Sequence, residues 1–579
     1  MRARVWAPDA TRVDVHLRPD STDPFIEPME RADGGWWTGP TLVPGTDYAF
    51  AIDGNGPFPD PRSAWQPHGV HGFSRAFDAS AHRWGDHSWA GLTALGAVTY
   101  ELHIGTFTEG GTLDAIDASR LEDLAARGIE MIELMPVAAF PGERGWGYDG
   151  VALYAVHDAY GGPEALQRFV DRAHVAGLGV CLDVVYNHLG PDGNYLAQFG
   201  PYFTDAHDTP WGWAVNLDQP QAHEMRAFLI DNAVRWLRDF HLDCLRLDAV
   251  HALQDDSPRH LLAEMSDTVA ELASELGRPL SLVAESDLNQ ASMVTPTADG
   301  GLGMTAQWAD DVHHALHAYL TQETHGYYGD FGSVETLDKA YRGVFVHDGS
   351  YSTFRGKDWG APVPDAMDRQ RFVVFASNHD QIGNRALGDR PSARLTEGAQ
   401  AASLALILLS PFTPMLFMGE EYGETTPFMF FTDHDEPLGS AVSKGRMSEF
   451  AGHGWDDLYG GAPDVPDPQS RGTFVGSKLG AAPPSAEARR RIEDWTAAVI
   501  AARARTLEPG AWAVHPVSVS ERAPRVVTMI GPVTVHANLS SEPSIVPGAE
   551  VIATFGEVTT TAAGIVLAPD SVALVVPPA

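Results

Sequence analysis

The sequence predicts an α/β protein built around a (β/α)8 TIM barrel, flanked by an N-terminal β-sandwich and a small C-terminal β domain. From about Leu95 onward, short apolar strands alternate with amphipathic helices, which is the pattern of a parallel α/β fold. Eight such strands can be counted. Before this segment, and again after Glu508, short strand-like pieces are separated by turns, which indicates antiparallel β structure.

Three domains are expected from these changes of pattern. Residues 1–90 are predicted to form a small β-sandwich of the immunoglobulin-like kind, because strand-like runs at 12–17 and 48–52 are separated by glycine-rich turns. Residues 91–507 are predicted to form the barrel, with a loop insertion after the third strand. Residues 508–579 are predicted to form the C-terminal β domain, with strand-like alternation at 525–530.

The barrel elements are predicted in chain order. Helices are expected to end at Gly128, to cover 163–176 and 221–240, and to close the ring at 486–505. A long loop at 188–216 is expected to be functional, because loops of that length are uncommon otherwise. The eight strands are expected at 98–103, 130–137 and 180–185, at the runs ending in Asp248 and Glu285, at 305–308, at the run ending near Asn378, and at 414–418.

Composition excludes several classes of function. The chain has 579 residues, 44% of them hydrophobic and 20% charged, as in a globular protein. A net charge of -38 would repel nucleic acid and anionic lipid, so neither is an expected partner. The apolar run at 401–419 is broken by prolines and is predicted to be a helix followed by a strand rather than a membrane span.

The two cysteines and the N-terminus bear on the compartment. Cys181 and Cys244 lie in apolar runs predicted to be neighbouring strands, so they are expected to be buried thiols. Their scarcity is compatible with a reducing cytoplasm. The first residues lead into strand-like sequence and not into the apolar stretch of a signal peptide. A cytoplasmic location is therefore expected.

Three carboxylates stand at the ends of predicted strands, namely Asp248, Glu285 and Asp380. Because the C-terminal ends of the strands meet at one face of a parallel barrel, acids far apart in sequence can converge on one substrate bond. Any one of them could instead cap a helix or pair with an arginine, but all three together make that explanation weak. The chain is therefore expected to be an enzyme.

The carboxylates suit the cleavage of an acetal between sugars, which needs a proton donor for the leaving oxygen and a carboxylate at the anomeric carbon. Arg246 precedes Asp248 by two residues on the same strand face, so it is expected to keep Asp248 ionised. Glu285 follows an apolar run and is expected to hold its proton. Asp380 could bind sugar hydroxyls as the ring distorts.

Histidines and aromatic residues complete the predicted site. His188 and His379 each follow an asparagine at a strand end and could bind hydroxyls, although a lone histidine is more often structural. His313 and His314 lie beside Asp310 and Asp311, but neighbouring helical residues do not face one way, so no metal or other cofactor is expected. Aromatic residues that could stack on sugars are Trp146, Tyr148, Tyr154, Trp211, Trp213, Phe428, Phe430 and Phe431.

The strand-end segments resemble those of the α-amylase superfamily of glycoside hydrolases, which carries Asp-Val-Val-x-Asn-His, Arg-x-Asp, a strand-end Glu and Asn-His-Asp in this order. Within it, the segments at 100–107, 246–251, 285–289, 379–384 and 427–434 look like those of the malto-oligosyltrehalose trehalohydrolases. The resemblance implies that the sandwich at residues 1–90 is carbohydrate-binding-module-like. It implies a retaining mechanism with Asp248 as nucleophile, Glu285 as acid/base and Asp380 as transition-state stabiliser. It also implies a set of substrate-binding residues: Tyr148, His188, Arg246, His251, Asp310, His314, His379 and Asn384.

The resemblance further implies the reaction. It would be hydrolysis of the α-1,4-glucosidic bond next to the terminal α,α-1,1-linked trehalose unit of maltooligosyltrehalose, which releases trehalose and a maltooligosaccharide. A functional pairing with a maltooligosyltrehalose-forming enzyme is implied as well. The alternative within enzymes is a 1,4-α-glucan branching or debranching enzyme that uses the same carboxylates. From a different class, the chain could be a catalytically inactive glucan-binding protein, against which the three retained acids argue.

Overall fold

The computed structural model describes residues 1–18, 25–450, 458–548 and 550–577. Its N-terminal part consists of two small antiparallel sheets, as expected from the strand and turn pattern. One sheet has three strands and the other five, and apolar side chains such as Val13, Val15 and Phe50 are fully buried between elements. The strands are Arg2–Trp6, Val13–Arg18, Phe25–Pro28, Glu30–Arg31, Trp36–Thr41, Asp47–Ile52, Asn55–Phe58 and Ser74–Arg75.

The centre of the molecule is a closed barrel of eight parallel strands, which confirms the predicted fold class. Neighbours in the sequence of barrel strands are neighbours in space, and the last strand pairs with the first. Side chains are buried along every strand, as expected for a sheet covered on both faces. The barrel strands are β1 Thr99–Leu102, β2 Met131–Leu134, β3 Gly179–Val184, β4 Cys244–Leu247, β5 Ser281–Ala284, β6 Ala306–Trp308, β7 Phe372–Phe375 and β8 Thr413–Phe417.

Helices between the strands cover the barrel. The helix Ala118–Ala126 begins where the Asp117 side chain accepts from the backbone N–H of Arg120, and the chain turns at Gly128 with φ +92°. The apolar run at 401–419 divides into the helix Glu397–Leu408 and strand β8, as predicted. The other helices of eight or more residues around the barrel are Gly162–Val175, Ala222–Asp239, Leu261–Leu276, Asp310–Thr321, Val334–Gly343, Leu438–Glu449 and Ala486–Arg503.

Shorter pieces decorate the barrel loops. The segment after β3, expected to be a loop, contains an antiparallel pair of strands, Phe203–Thr209 and Gly212–Val215. A second hairpin, Ser350–Ser352 with Lys357–Trp359, lies between β6 and β7 and was not predicted. Short helices are Ile104–Phe107, His379–Gly383, Arg471–Gly476 and Ala511–Val514.

The C-terminal part is strand-rich, as predicted. It forms one sheet of five strands and one of three. Its strands are Ser518–Ala523, Val526–Ile530, Thr534–Asn538, Ser544–Val546, Glu550–Phe555, Val558–Thr561, Gly564–Leu567 and Ser571–Val576. The domain boundaries at residues 90 and 507 fall between these groups of elements and stay predictions. Within the described residues, the structure has no helix that is long and apolar enough to cross a membrane.

The two thiols face each other inside the barrel. Cys181 of β3 is paired in register with Cys244 of β4, and both side chains are free and fully buried. Burial raises the pKa of both thiols.

Candidate active site

The barrel places the predicted carboxylates at its C-terminal face. Asp248 directly follows β4, Glu285 directly follows β5, and these two strands are hydrogen-bonded neighbours. Asp380 lies in the first turn of the short helix after β7, whose N-cap Asn378 accepts from the backbone N–H of Gln381. All three line one pocket of about 300 Å³. The convergence predicted from the strand ends is therefore present.

Arg246 contacts both Asp248 and Glu285. Its side chain is not exposed at all, and Nη1 donates to Asp248 Oδ1 at 2.9 Å, while Nη2 lies 2.9 Å from Glu285 Oε2. Nη1 also donates to both oxygens of Asp183, at 2.8 and 2.9 Å. The guanidinium stacks on Trp308, with Cζ 4.2 Å from the ring centroid. One buried cation thus fixes the positions of three carboxylates.

The turn after Asp248 brings the backbone to Glu285. Ala249 has φ +38°, which is uncommon for a residue with a side chain. In this conformation its N–H donates to Glu285 Oε2 at 2.7 Å. The contacts described for this carboxyl group all involve Oε2, which leaves Oε1 for a proton. The backbone conformation at Ala249 therefore links the two acids.

Burial raises the pKa of both acids by similar amounts, and the pKa of Glu285 is the higher of the two. For Asp248, loss of solvent outweighs the opposing charge of Arg246 and raises the pKa to about 6. For Glu285, the same loss of solvent, opposed by Arg246, raises the pKa to about 7. Arg246 was expected to keep Asp248 ionised; its charge does lower the pKa of Asp248, but burial is the larger effect. The predicted order is retained, since Asp248 loses its proton before Glu285.

A chain of hydrogen bonds runs from β1 to β4 along the floor of the pocket. Glu101 accepts from the backbone N–H and from Nδ1 of His379, at 2.9 and 2.5 Å. The Tyr148 hydroxyl lies 2.8 Å from His379 Nε2 and donates to Asp183 at 2.6 Å. Burial alone would lower the pKa of His379, but Glu101 and then Asp380 raise it to about 10. His379 is therefore a cation that faces the pocket.

The predicted binding residues occupy two compartments that meet at Asp380. Tyr148, His188 and His379 line the first compartment together with the three carboxylates. Asp310, His314 and Asn384 line a second compartment of about 430 Å³, which also includes Asp380. Asn384 Nδ2 donates to Asp380 Oδ1 at 3.2 Å.

Two predicted binding residues line neither compartment. His251 has Nδ1 3.8 Å from Asp287 Oδ1, beyond hydrogen-bond range. Arg246 lies beneath the floor of the first compartment and binds the carboxylates above it. Its position fits a role in holding those acids rather than direct contact with substrate.

Aromatic rings form the wall of the first compartment. Trp211, on the turn of the hairpin after β3, stacks on His188 with ring centroids 4.3 Å apart and an angle of 2°. Trp146 packs against Phe430 edge to face at 5.2 Å. Of the other predicted aromatics, Tyr154, Phe428 and Phe431 are buried, and Trp213 is 66% exposed outside the pocket. Loop position alone therefore did not identify the rings that line it.

Three carboxylates inside the barrel, Glu101, Asp183 and Glu133, were not among the predicted site residues. They lie on β1, β3 and β2, and each is at most 3% exposed. Glu133 Oε1 has no hydrogen-bond partner among the described residues, and burial, followed by the charge of Glu101, raises its pKa to about 8. A charged residue inside an otherwise apolar strand was the signal that could have indicated them.

One group of side chains has the spacing of metal ligands. Ligand atoms of His207, Asp218 and Asp256 lie within 4.8 Å of one another. His207 Nε2 lies 2.7 Å from Asp218 Oδ2, and the same oxygen accepts from the backbone N–H of Asp256. The hydrogen bonds among these three residues account for their closeness without a metal ion. None of the three lines the pocket that contains Asp248, Glu285 and Asp380. His313, by contrast, faces the Ala376 carbonyl and Tyr328, and His314 faces the second compartment.

Comparison with known proteins assigns the family. Residues 73–211 match the α-amylase catalytic domain, and residues 1–66 match carbohydrate-binding module 48, the isoamylase N-terminal domain. The malto-oligosyltrehalose trehalohydrolase of Arthrobacter ramosus is 49% identical over 99% of each chain. The malto-oligosyltrehalose trehalohydrolase of Rhizobium species strain M-11 is 50% identical over 88% of this chain and 85% of its own.

A solved structure agrees in fold over the whole length. The crystal structure of a putative α-amylase from Salmonella typhimurium has a TM-score of 0.88 and 35% identity, and the match covers 100% of this chain and 97% of that one. With half of its residues identical to relatives of one kind over nearly its full length, this chain belongs to the malto-oligosyltrehalose trehalohydrolase family of the α-amylase superfamily.

Proposed function

We propose that this chain is a retaining glycoside hydrolase that cleaves the α-1,4-glucosidic bond next to the terminal trehalose unit of maltooligosyltrehalose. The products are trehalose and a maltooligosaccharide. The observation that carries the chemistry is the buried guanidinium of Arg246, which contacts both Asp248 and Glu285 at the ends of adjacent strands. The choice of substrate is supported by relatives that share half of their residues with this chain.

In the first step, a carboxylate oxygen of Asp248 attacks the anomeric carbon and forms an ester bond to the glycosyl group. Glu285 donates its proton to the glycosidic oxygen as the carbon–oxygen bond breaks, and the trehalose unit leaves. In the second step, Glu285 takes a proton from a water molecule, whose oxygen attacks the anomeric carbon and releases Asp248. Two displacements at one carbon retain the α configuration.

The neighbouring residues assist these steps. Asp380 binds hydroxyls of the cleaved glucose, and His379 and Tyr148 line the same compartment. His379 is a cation and can donate a hydrogen bond to a sugar oxygen. The sugar ring also gains positive charge in the transition state, so nearby carboxylates must balance both charges. Asp380 and Asp248 line the same pocket and can do so. Asp310, His314 and Asn384 are proposed to contact the leaving unit, and His251 is proposed to approach it from the loop after β4.

Product analysis tests this function directly. The purified chain is incubated with maltopentaosyltrehalose, and the products are separated by chromatography. Trehalose and maltopentaose are expected, and the absence of free trehalose would refute the proposal. Asp248→Ala should abolish turnover while it leaves substrate binding largely intact.

A parallel assay on amylose and amylopectin addresses the other two functions. A branching or debranching enzyme would instead change the branch content of amylose or amylopectin, and an inactive glucan-binding protein would turn over none of these substrates. The names of the relatives at about half identity favour the hydrolase over both. The cytoplasmic location and the pairing with a maltooligosyltrehalose-forming enzyme stay predictions, which co-purification and cell fractionation would test.

A further inference from the structure

A cavity of about 540 Å³ lies where the N-terminal part of the chain meets the barrel. Most of its lining comes from the segment 62–84, from the end of the helix Ala222–Asp239 and from the turn after that helix. Among the described residues, none lines both this cavity and either compartment of the active site. Its volume is within the range of small-molecule sites, so it is a separate candidate site.

Positive charge is concentrated in this cavity. Its lining includes three arginines, Arg62, Arg235 and Arg238, and two aspartates, Asp78 and Asp239. The whole chain has 77 acidic and 39 basic side chains, so the local balance is the reverse of the overall one. At physiological ionic strength, exposed charges more than about 8 Å apart are largely screened from each other. The local balance therefore decides which charge the cavity attracts.

Two of the three arginines already have acceptors. Arg62 Nη1 donates to Asp231 Oδ2 at 2.8 Å and to the Tyr154 hydroxyl at 2.9 Å. Arg238 Nε donates to Asp239 Oδ1 at 2.9 Å. Each of these two guanidinium groups is thus balanced by a carboxylate of its own.

Arg235 is the arginine that lacks a counter-ion. Among the described residues, none accepts a hydrogen bond from its guanidinium or forms an ion pair with it, and Nη1 is fully buried. Its Cζ lies 4.7 Å from the ring centroids of both Trp236 and Phe240, which attract the cation but offer it no acceptor atom. Burial lowers its pKa to about 10, so the guanidinium keeps its charge at neutral pH. A bound anion would offset the cost of this unpaired cation.

Two aromatic rings line the same cavity as this cation, Phe77 and Trp84. Trp84 stacks on His241, with ring centroids 3.7 Å apart and an angle of 11°. Phe77 stacks on Phe240 at 6.3 Å and 26°, and Phe240 also packs against the Arg235 guanidinium. Flat apolar rings held beside a charged donor are suited to a sugar that carries an anionic group.

We propose that this cavity binds an anionic monosaccharide, either a sugar phosphate or a sugar acid. Its anionic group pairs with Arg235, and its ring packs against Phe77 and Trp84. A neutral glucose lacks the group that pairs with Arg235, and inorganic phosphate lacks the ring, so full affinity needs both parts of the ligand. The site is separate from the active site, and the proposal does not depend on the reaction catalysed there.

Isothermal titration calorimetry on the whole chain tests this proposal. The probes are glucose 6-phosphate, glucuronate, glucose and inorganic phosphate. At least one of the two anionic sugars should bind about tenfold or more tightly than both glucose and inorganic phosphate. The tighter of the two identifies the anionic group that the cavity takes. If neither anionic sugar binds, or if neither binds more tightly than the other two probes, the proposal is wrong.

Arg235→Gln removes the charge and should weaken binding of the tighter anionic sugar by about 10- to 100-fold. Arg342→Gln is the matched control, because its side chain is 57% exposed, pairs with Asp338 and does not line the cavity. It should leave the affinity unchanged. Equal affinity in Arg235→Gln and the wild-type chain would overturn the assignment to this cavity. The comparison of the four probes on the wild-type chain needs no variant, so it decides the matter even if Arg235→Gln does not fold.

Discussion

Arg246→Lys is the change that most sharply tests how the site is held together. The guanidinium reaches Asp183 and Asp248 through Nη1 and Glu285 through Nη2, all between 2.8 and 2.9 Å. An ammonium group is a single point of charge and cannot span these carboxylates in the same fork. It also loses the flat contact with Trp308. Lysine keeps the charge and removes the geometry.

The size of the effect follows from the number of contacts. Each hydrogen bond to a charged group is worth about 1.5–3 kcal/mol, and lysine is expected to lose one of them and weaken another. A loss of about 2–4 kcal/mol in transition-state stabilisation lowers kcat/KM by about 30- to 1,000-fold. Burial raises the pKa of Asp248, and the hydrogen bond from Arg246 is one of the contacts that oppose this rise. Weakening that bond in Arg246→Lys should therefore raise the pKa of Asp248 further.

Steady-state kinetics on maltopentaosyltrehalose across pH measures both effects. The acidic limb of the profile should move to higher pH in Arg246→Lys. Arg168→Lys is the control, because Arg168 also pairs bidentately with a carboxylate, that of Asp114, but on the exposed surface. Wild-type kcat/KM and an unshifted acidic limb in Arg246→Lys would show that the fork of the guanidinium does not hold the acids.

Two further predictions come from the shifted pKa values. Activity needs Asp248 ionised and Glu285 protonated, so kcat/KM should rise as pH rises through about 6 and fall as pH rises through about 7. With α-maltosyl fluoride, whose leaving fluoride needs no proton, the basic limb should disappear; a basic limb that persists would contradict the role of Glu285. For stability, burial raises the pKa of Glu133 from 4.5 to about 8, so the native state holds a proton that the unfolded chain releases, and stability is lost as pH rises across this window. In scanning calorimetry, Glu133→Gln should therefore melt several degrees above the wild-type chain at pH 8.5 and close to it at pH 5. Equal melting temperatures of the two proteins at both pH values would show that ionisation of Glu133 does not destabilise the native state.

The barrel was predictable because its strands are short apolar runs that end in polar residues, and parallel pairing brings those ends together. The same rule found Asp248, Glu285 and Asp380, which the fold gathers in one pocket. The rule could not find Glu101 or Asp183, because these acids lie within strands and not after them. A charge inside an apolar run indicates burial, but the partners that show its role, His379 and Arg246, are distant in sequence.

The hairpin that lines the second compartment could not be predicted from the sequence. Phe354 lies on a hairpin whose strands have three residues each, too short for a clear alternating pattern. Its position depends on Asp287 and Asp330, which precede it by many residues and belong to different loops. The pKa of Asp248 was also beyond prediction from the sequence. Its neighbour Arg246 was evident two residues before it, but the burial that raises its pKa was not.

The configuration of the newly formed chain end tests the central claim most directly. Proton NMR is recorded during the first minutes of hydrolysis of maltopentaosyltrehalose, before the anomers equilibrate. If Asp248 is the nucleophile and Glu285 the acid/base, two displacements retain the α configuration. The new reducing end of maltopentaose should then appear first as the α anomer, together with the single anomeric signal of trehalose. First appearance of the β anomer would contradict the double displacement at Asp248.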